Sequence, residues 1–145
     1  MISQLTVFLN NEPGALAKAT RLISGSDIQI HGLMVSNISD FGIARIVCDQ
    51  PWQAMSTLAD RKYHVMISRV IAIAVENVPG GLSRLLESLA GEGLNVEYAY
   101  CCSIDDMTVD ILKVEGDPKA VEEALRRADI KELSAEDLSI ADKSE

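Results

Sequence analysis

Hydrophobic and polar positions change period several times along the chain. In residues 2–9, ISQLTVFL, the apolar Leu5, Val7 and Leu9 alternate with Gln4 and Thr6, Phe8 being the exception. A period of two predicts a strand. After Asn10-Asn11-Glu12-Pro13-Gly14, the residues Leu16, Ala19 and Ile23 recur at helical spacing, and Gly25 supplies a stop. Residues 27–36 read as a second strand, 37–40 as a polar turn and 41–48 as a third strand. Pro51 opens a helix with Trp52, Met55 and Leu58 or Ala59 turned inward, and 63–68 read as a fourth strand. The predicted order is β-α-β-β-α-β.

The same order then returns. Residues 70–76 predict a strand, and Leu82, Leu85, Leu86 and Leu89 predict a helix with an inward leucine stripe, closed by Gly91 and Gly93. Residues 94–103 and 107–116 predict a hairpin across Ile104–Asp106. Pro118 begins a helix carrying Val121, Ala124, Leu125 and Ala128. A last, weak strand is expected near 130–135, followed by an acidic tail expected to fray.

The two halves superpose as sequences at a shift of 66 residues, without a gap. Asn11 meets Asn77, Pro13-Gly14 meets Pro79-Gly80, Leu16 meets Leu82, Gly25 meets Gly91, Ile38 meets Ile104 and Asp40 meets Asp106. Motif, hairpin and element order repeat together, which marks an internal duplication. Two repeats are expected, 1–68 and 69–145, the second ending in the acidic tail, with no linker at the Ser68–Arg69 seam. The expected fold class is α+β, two ferredoxin-like repeats with antiparallel sheets and helices on one face. Each repeat is small for an independent core. Its uncovered sheet edges point to a homodimer of chains.

Charge removes some partners. The 145 residues carry a net charge of −9, yet residues 1–68 hold five basic and five acidic side chains and are neutral. The acidic half would repel a polyanion, so no nucleic-acid partner is expected. No run of 18 apolar residues and no secretory signal is visible, so no membrane partner is expected. Three cysteines, two of them adjacent, form no disulfide ladder and fit a reducing cytoplasm.

The repeated Pro-Gly turn is the main candidate for chemistry. Pro13 and Pro79 suit a first helical position, which makes Glu12 and Val78 the preceding N-cap residues, and both are poor caps. The amides of Gly14, Ala15 and Leu16, or of Gly80, Gly81 and Leu82, then lack acceptors. A ligand carboxylate would supply one at the positive helix end. Asn11 and Asn77 offer both donor and acceptor, which suits a zwitterion. The other reading is that each Asn caps its own helix and no ligand is involved; the residues alone leave both open.

The stretches LNNEPGALAKATRLISGSDIQI and VENVPGGLSRLLESLAGEGLNV, each followed by a hairpin and a second helix, resemble the ACT domain, a small regulatory module of amino-acid-controlled enzymes. The resemblance covers nearly the whole chain in two copies. It implies the βαββαβ fold. It also implies that small ligands, often amino acids, bind where the first loop and helix mouth of one copy face the second strand of a neighbour. Carried over by position, it implies one site at Asn10, Asn11, Gly14, Ala15, Leu16 and His31, and another at Asn77, Val78, Gly80, Gly81 and Leu82. Glu12 against Val78, and Ala15 against Gly81, argue against two equal sites.

The remaining candidates are weaker. His31 and His64 belong to no metal-ligand spacing, so no metal or cofactor is expected. Cys101 and Cys102 must face opposite sides of a strand, one of them into the core. Tyr98 and Tyr100 share a strand face and read as core or ligand wall. No nucleophile–base pair or phosphate loop occurs, so no enzyme activity is expected. The sequence thus points to a cytoplasmic regulatory protein that binds a free amino acid or similar small ligand and signals by ligand-linked packing or oligomerisation. The alternative is a ligand-free regulatory subunit docking on an amino-acid biosynthetic enzyme.

Overall fold

A computed structural model describes residues 1–144. The elements are β1 (Ile2–Asn10), α1 (Ala15–Ser24), β2 (Ile30–Ile38), β3 (Phe41–Cys48), α2 (Pro51–Asp60), β4 (His64–Ala74), α3 (Gly81–Gly91), β5 (Val96–Ile104), β6 (Met107–Val114) and α4 (Pro118–Arg127). They fall into two compact units. The first holds residues 2–69 and the chain from Ala135 onward; the second holds Met1 and residues 70–134. The strands predicted at 63–68 and 70–76 are one strand, β4, and the unit boundary falls within it.

The first unit has the strand order β2-β3-β1-β4, the ferredoxin-like order. Leu5, Val7 and Leu9 of β1 and Ala44, Ile46 and Cys48 of β3 form one face, on which Ala19 and Ile23 of α1 and Ala54 and Leu58 of α2 are packed. The alternation in β1 does not mark a solvent-facing side. Gln4 is 0% and Thr6 5% exposed. Gln4 Nε2 donates to Thr6 Oγ1 at 3.2 Å, and Thr6 Oγ1 lies 3.3 Å from Ser68 Oγ. Burying those groups is tolerable because they bond one another.

The second unit repeats the plan with Ile71 and Ile73 of β4 and Leu112 and Val114 of β6, under Leu85 and Leu89 of α3 and Val121 and Leu125 of α4. Its registers are those of the first unit moved by 66: Leu5 opposite Ile46 becomes Ile71 opposite Leu112, and Leu33 opposite Ile46 becomes Ala99 opposite Leu112. Even an irregularity is duplicated. The register slips between Ile30 and Gly32 in β2, and between Val96 and Tyr98 in β5. His31 and Glu97 are the extra residues of these two bulges. Both hairpins close on two residues, Ser39-Asp40 and Asp105-Asp106, with φ of 56° at Ser39 and of 48° and 64° at the aspartates. The chain has an α+β fold of two ferredoxin-like repeats.

Three details differ from the sequence reading. Of the leucine stripe, only Leu85 and Leu89 are buried; Leu82 is 48% and Leu86 37% exposed, because the i, i+4 pair alone fills the narrow contact with the sheet. Among the described residues no strand follows α4. The segment 130–135 has no alternating apolar face; its Leu133 amide reaches β4 at Ala72 O, 2.8 Å. The tail is held in place through Asp142. Leu138 (0% exposed) and Ile140 are buried, the Ala141 amide donates to Asp49 O at 2.7 Å, and the Asp142 carboxylate accepts from the Ser3 amide, Trp52 Nε1 and Arg69.

Candidate binding cleft at the first turn

The repeated turn is built the same way twice. Glu12 O accepts from the Ala15 amide (3.3 Å), and Val78 O from the Gly81 amide (3.1 Å), each across a Pro-Gly pair. Gly14 has φ 85° and Gly80 φ 86°. Pro at the second and a left-handed Gly at the third position define a type II turn. A tighter bond precedes each, from Glu12 N–H to Asn10 O and from Val78 N–H to Glu76 O, both 2.9 Å. The chain therefore enters each helix two residues later than the prolines suggest. Gly14 and Gly80 are the N-caps, Pro13 and Pro79 lie outside the helices, and the Ala15 and Gly81 amides are already bonded.

No side chain caps either helix. Asn11 and Asn77 are thus not the caps of α1 and α3, although that was one of the two readings of the sequence. An N-terminus without a side-chain cap leaves first-turn amides directed at solvent or at a ligand. The surroundings of the two turns differ. A Cβ built at Gly14 meets nothing within 4 Å, so the space over the first turn is open. A Cβ at Gly80 would sit 3.0 Å from Arg84 Nη1, so that guanidinium lies over the second turn.

Beside the first turn is a cleft of about 420 Å³. The end of β1 contributes Phe8, Leu9 and Asn10; the turn and α1 contribute Glu12, Ala15 and Lys18. Phe41 of β3 stands at the wall, and the link from α2 to β4 brings Arg61, Lys62, Tyr63 and His64. The Phe8 and His64 rings meet edge to face at 5.2 Å. Among the described residues, Lys18, Arg61 and Lys62 form no ion pair. Three of the five cations of the neutral first repeat thus converge on one cleft.

A second cleft of about 410 Å³ lies at the second turn. Six of its positions are those of the first moved by 66 residues: Ala74 for Phe8, Val75 for Leu9, Glu76 for Asn10, Gly81 for Ala15, Arg84 for Lys18 and Ile130 for His64. The duplication therefore copied the cleft and the chemistry diverged.

Of the residues expected at the first site, Asn10 and Ala15 line the cleft. Asn11 and Gly14 are exposed on the turn, Leu16 packs against the first core, and His31 sits on the β2 bulge, its Nε2 shielded from solvent without a hydrogen-bond partner. At the second site Gly81 lines the cleft, whereas Asn77, Val78, Gly80 and Leu82 are exposed outside its wall. The sequence reading passed over Lys18, Arg61 and Lys62. The one available signal was the scarcity of acids in residues 1–68, which hold five of the chain's 22 and as many cations.

Two of the three thiols, those of Cys48 and Cys102, are buried and unsuited to chemistry. Cys102 is buried and Cys101 exposed, as alternation on β5 requires. Burial pushes Cys48 up to about 12 and Cys102 up to about 11, so both stay protonated at neutral pH. Burial also raises the Asp110 carboxyl. Among the described residues no group of three His, Cys, Asp or Glu is placed to hold a metal, and no helix is long and apolar enough to cross a membrane.

Known proteins share this architecture. A structure of protein BT0572 from Bacteroides thetaiotaomicron is 30% identical, covers 95% of each chain and has a TM-score of 0.84. The ligand-free regulatory subunit of aspartate kinase from Thermus thermophilus is 11% identical over 88% of this chain and 92% of its own, with a TM-score of 0.59, a likeness of fold. Among curated protein sequences, none matches this chain. The family described as an ACT domain pair matches residues 1–140. With both repeats, both turns and both registers accounted for, the chain belongs to the ACT domain pair family.

Proposed function

We propose that this protein is a regulatory amino-acid sensor: it binds a free amino acid or similar small ligand at the first turn, without turning it over, and passes on its presence through the assembly of chains. One observation carries the reading. The N-terminus of α1 has no side-chain cap, is open above Gly14, and adjoins a cleft in which three cations, none of them in an ion pair among the described residues, face the single acid Glu12. A ligand carboxylate accepts from first-turn amides there, and the Asn10 and Glu12 side chains supply acceptors for an ammonium group.

Signalling follows from linkage. A ligand shifts an equilibrium between assemblies only by its differential affinity for them. The proposed assembly is a homodimer in which the ligand bridges the first turn of one chain and a strand of the second copy. An amino-acid biosynthetic enzyme in the cytoplasm is the natural recipient of the signal.

A thermal-shift screen against the twenty amino acids tests this. Binding to the native state at 100 times Kd adds about 2.7 kcal/mol. A concentration-dependent rise in Tm is expected for one or a few amino acids, with a change in the light-scattering mass of the same samples. A chain that no amino acid stabilises is not a sensor, and the ligand-free subunit becomes the better reading.

A further inference from the structure

Resting on the ligand site proposed above, we infer that the first cleft takes an α-amino acid with an acidic side chain, and that its duplicate in the second unit does not. The argument is the contrast between two clefts that descend from one. The first presents Lys18, Arg61 and Lys62 against the single acid Glu12. The second presents Arg84 and Lys131 against Glu76, which stands where the first cleft has the neutral Asn10.

The same substitution pattern extends one shell outward. Arg61 corresponds to Arg127, whose charge is partly offset by Glu92 at 3.1 Å. Ser26 occupies the position of Glu92 in the first repeat, so Arg61 has no such acid beside it and makes no ion pair. Lys62 corresponds to Ala128, and the space over the turn that is open at Gly14 is taken by Arg84 at Gly80. The loss of the Lys62 counterpart, the pairing of Arg127 and the presence of Glu76 lower the free positive charge of the second cleft, and Arg84, although a cation, fills the room over the turn that a ligand carboxylate would occupy.

A neutral amino acid needs one cationic or amide-rich pole for its carboxylate, and the turn provides it. The three further cations are unused by such a ligand. A second carboxylate uses them, at a distance that a cleft of about 420 Å³ accommodates for a side chain of one or two methylenes.

Calorimetry on the full chain tests this with four probes: L-aspartate, L-glutamate, L-asparagine and L-glutamine. One acidic amino acid is expected to bind at one site per chain, about tenfold tighter than its amide, since two exposed ion pairs contribute that much together. The preference should shrink as salt is raised. The Lys18→Ala/Arg61→Ala double variant should bind the acid only as well as the amide, with an unchanged Tm in the absence of ligand because neither side chain is buried or paired. Arg84→Ala should leave the titration unaltered. An amide that binds as tightly as its acid, two equal sites per chain, or a double variant that keeps the preference each overturns the inference. A neutral amino acid that binds while both acids fail removes only the acidic specificity; failure of all twenty in the thermal screen removes the sensor reading as well.

Discussion

Asp142→Ala lowers the stability of the first unit by about 2–3 kcal/mol, although residue 142 lies near the end of an acidic tail. Its carboxylate is 7% exposed and accepts three bonds from three parts of the unit: the Ser3 amide at 2.8 Å, Trp52 Nε1 at 3.2 Å and Arg69 Nη1 at 3.1 Å. Truncation leaves the Ser3 and Trp52 donors without an acceptor, which is the costly side of losing a hydrogen bond. Arg69 is 45% exposed and keeps Ser3 Oγ at 2.7 Å, so its share of the loss is small. Leu138→Ala, at a position with no exposure, costs a further 2–5 kcal/mol, about the usual loss for a buried leucine. Urea unfolding of each variant measures both. A tail that merely decorates the fold would give losses below about 0.5 kcal/mol, the range of ordinary surface substitutions.

Gly81→Ala destabilises the second unit by about 1–3 kcal/mol, although the counterpart residue in the first repeat is already alanine. A Cβ at Gly81 would stand 2.5 Å from the carbonyl oxygen of Glu76 and 3.3 Å from Val75 Cγ1. The oxygen is backbone and also accepts from the Val78 amide, so it yields only if the turn opens. Ala15 shows that the motif itself tolerates a methyl group here; what forbids it at 81 is how closely the second turn approaches its helix. Thermal unfolding of Gly81→Ala and Ala15→Gly forms the test. The first should lose stability by the overpacking range and the second by at most about 1 kcal/mol, the helix-propensity difference. Equal losses would mean that the two turns are packed alike.

Much of the fold was legible because its signals are local and doubled. The period-two run of β1, the spacing of Ala19 and Ile23, the Pro-Gly turns and the Asp105-Asp106 hairpin each name their own structure, and the shift of 66 lets each half check the other. What escaped depended on tertiary contacts. Pro13 reads as a helix start until the left-handed Gly14 beside it is known. Leu82 and Leu86 have the right spacing for a core stripe, but the sheet offers room only for Leu85 and Leu89. Leu138, Ile140 and Asp142 sit in a stretch whose charge suggests solvent, and the partners of Asp142 lie 73 to 139 residues away in sequence. The cleft escaped for the same reason: Lys18 and Arg61 belong to different helical regions, and nothing in either neighbourhood announces the other.

The central claim is that the first turn, and not its duplicate, is where a small amino acid binds. Amide chemical-shift mapping by heteronuclear NMR, using the amino acid that raises Tm most in the screen, tests it most directly. Saturable shifts are expected at Asn11, Glu12 and Gly14–Ala17, spreading to Lys18 and Arg61–His64, with residues 77–84 unmoved. Shifts confined to 77–84, or equal at both turns, would contradict it.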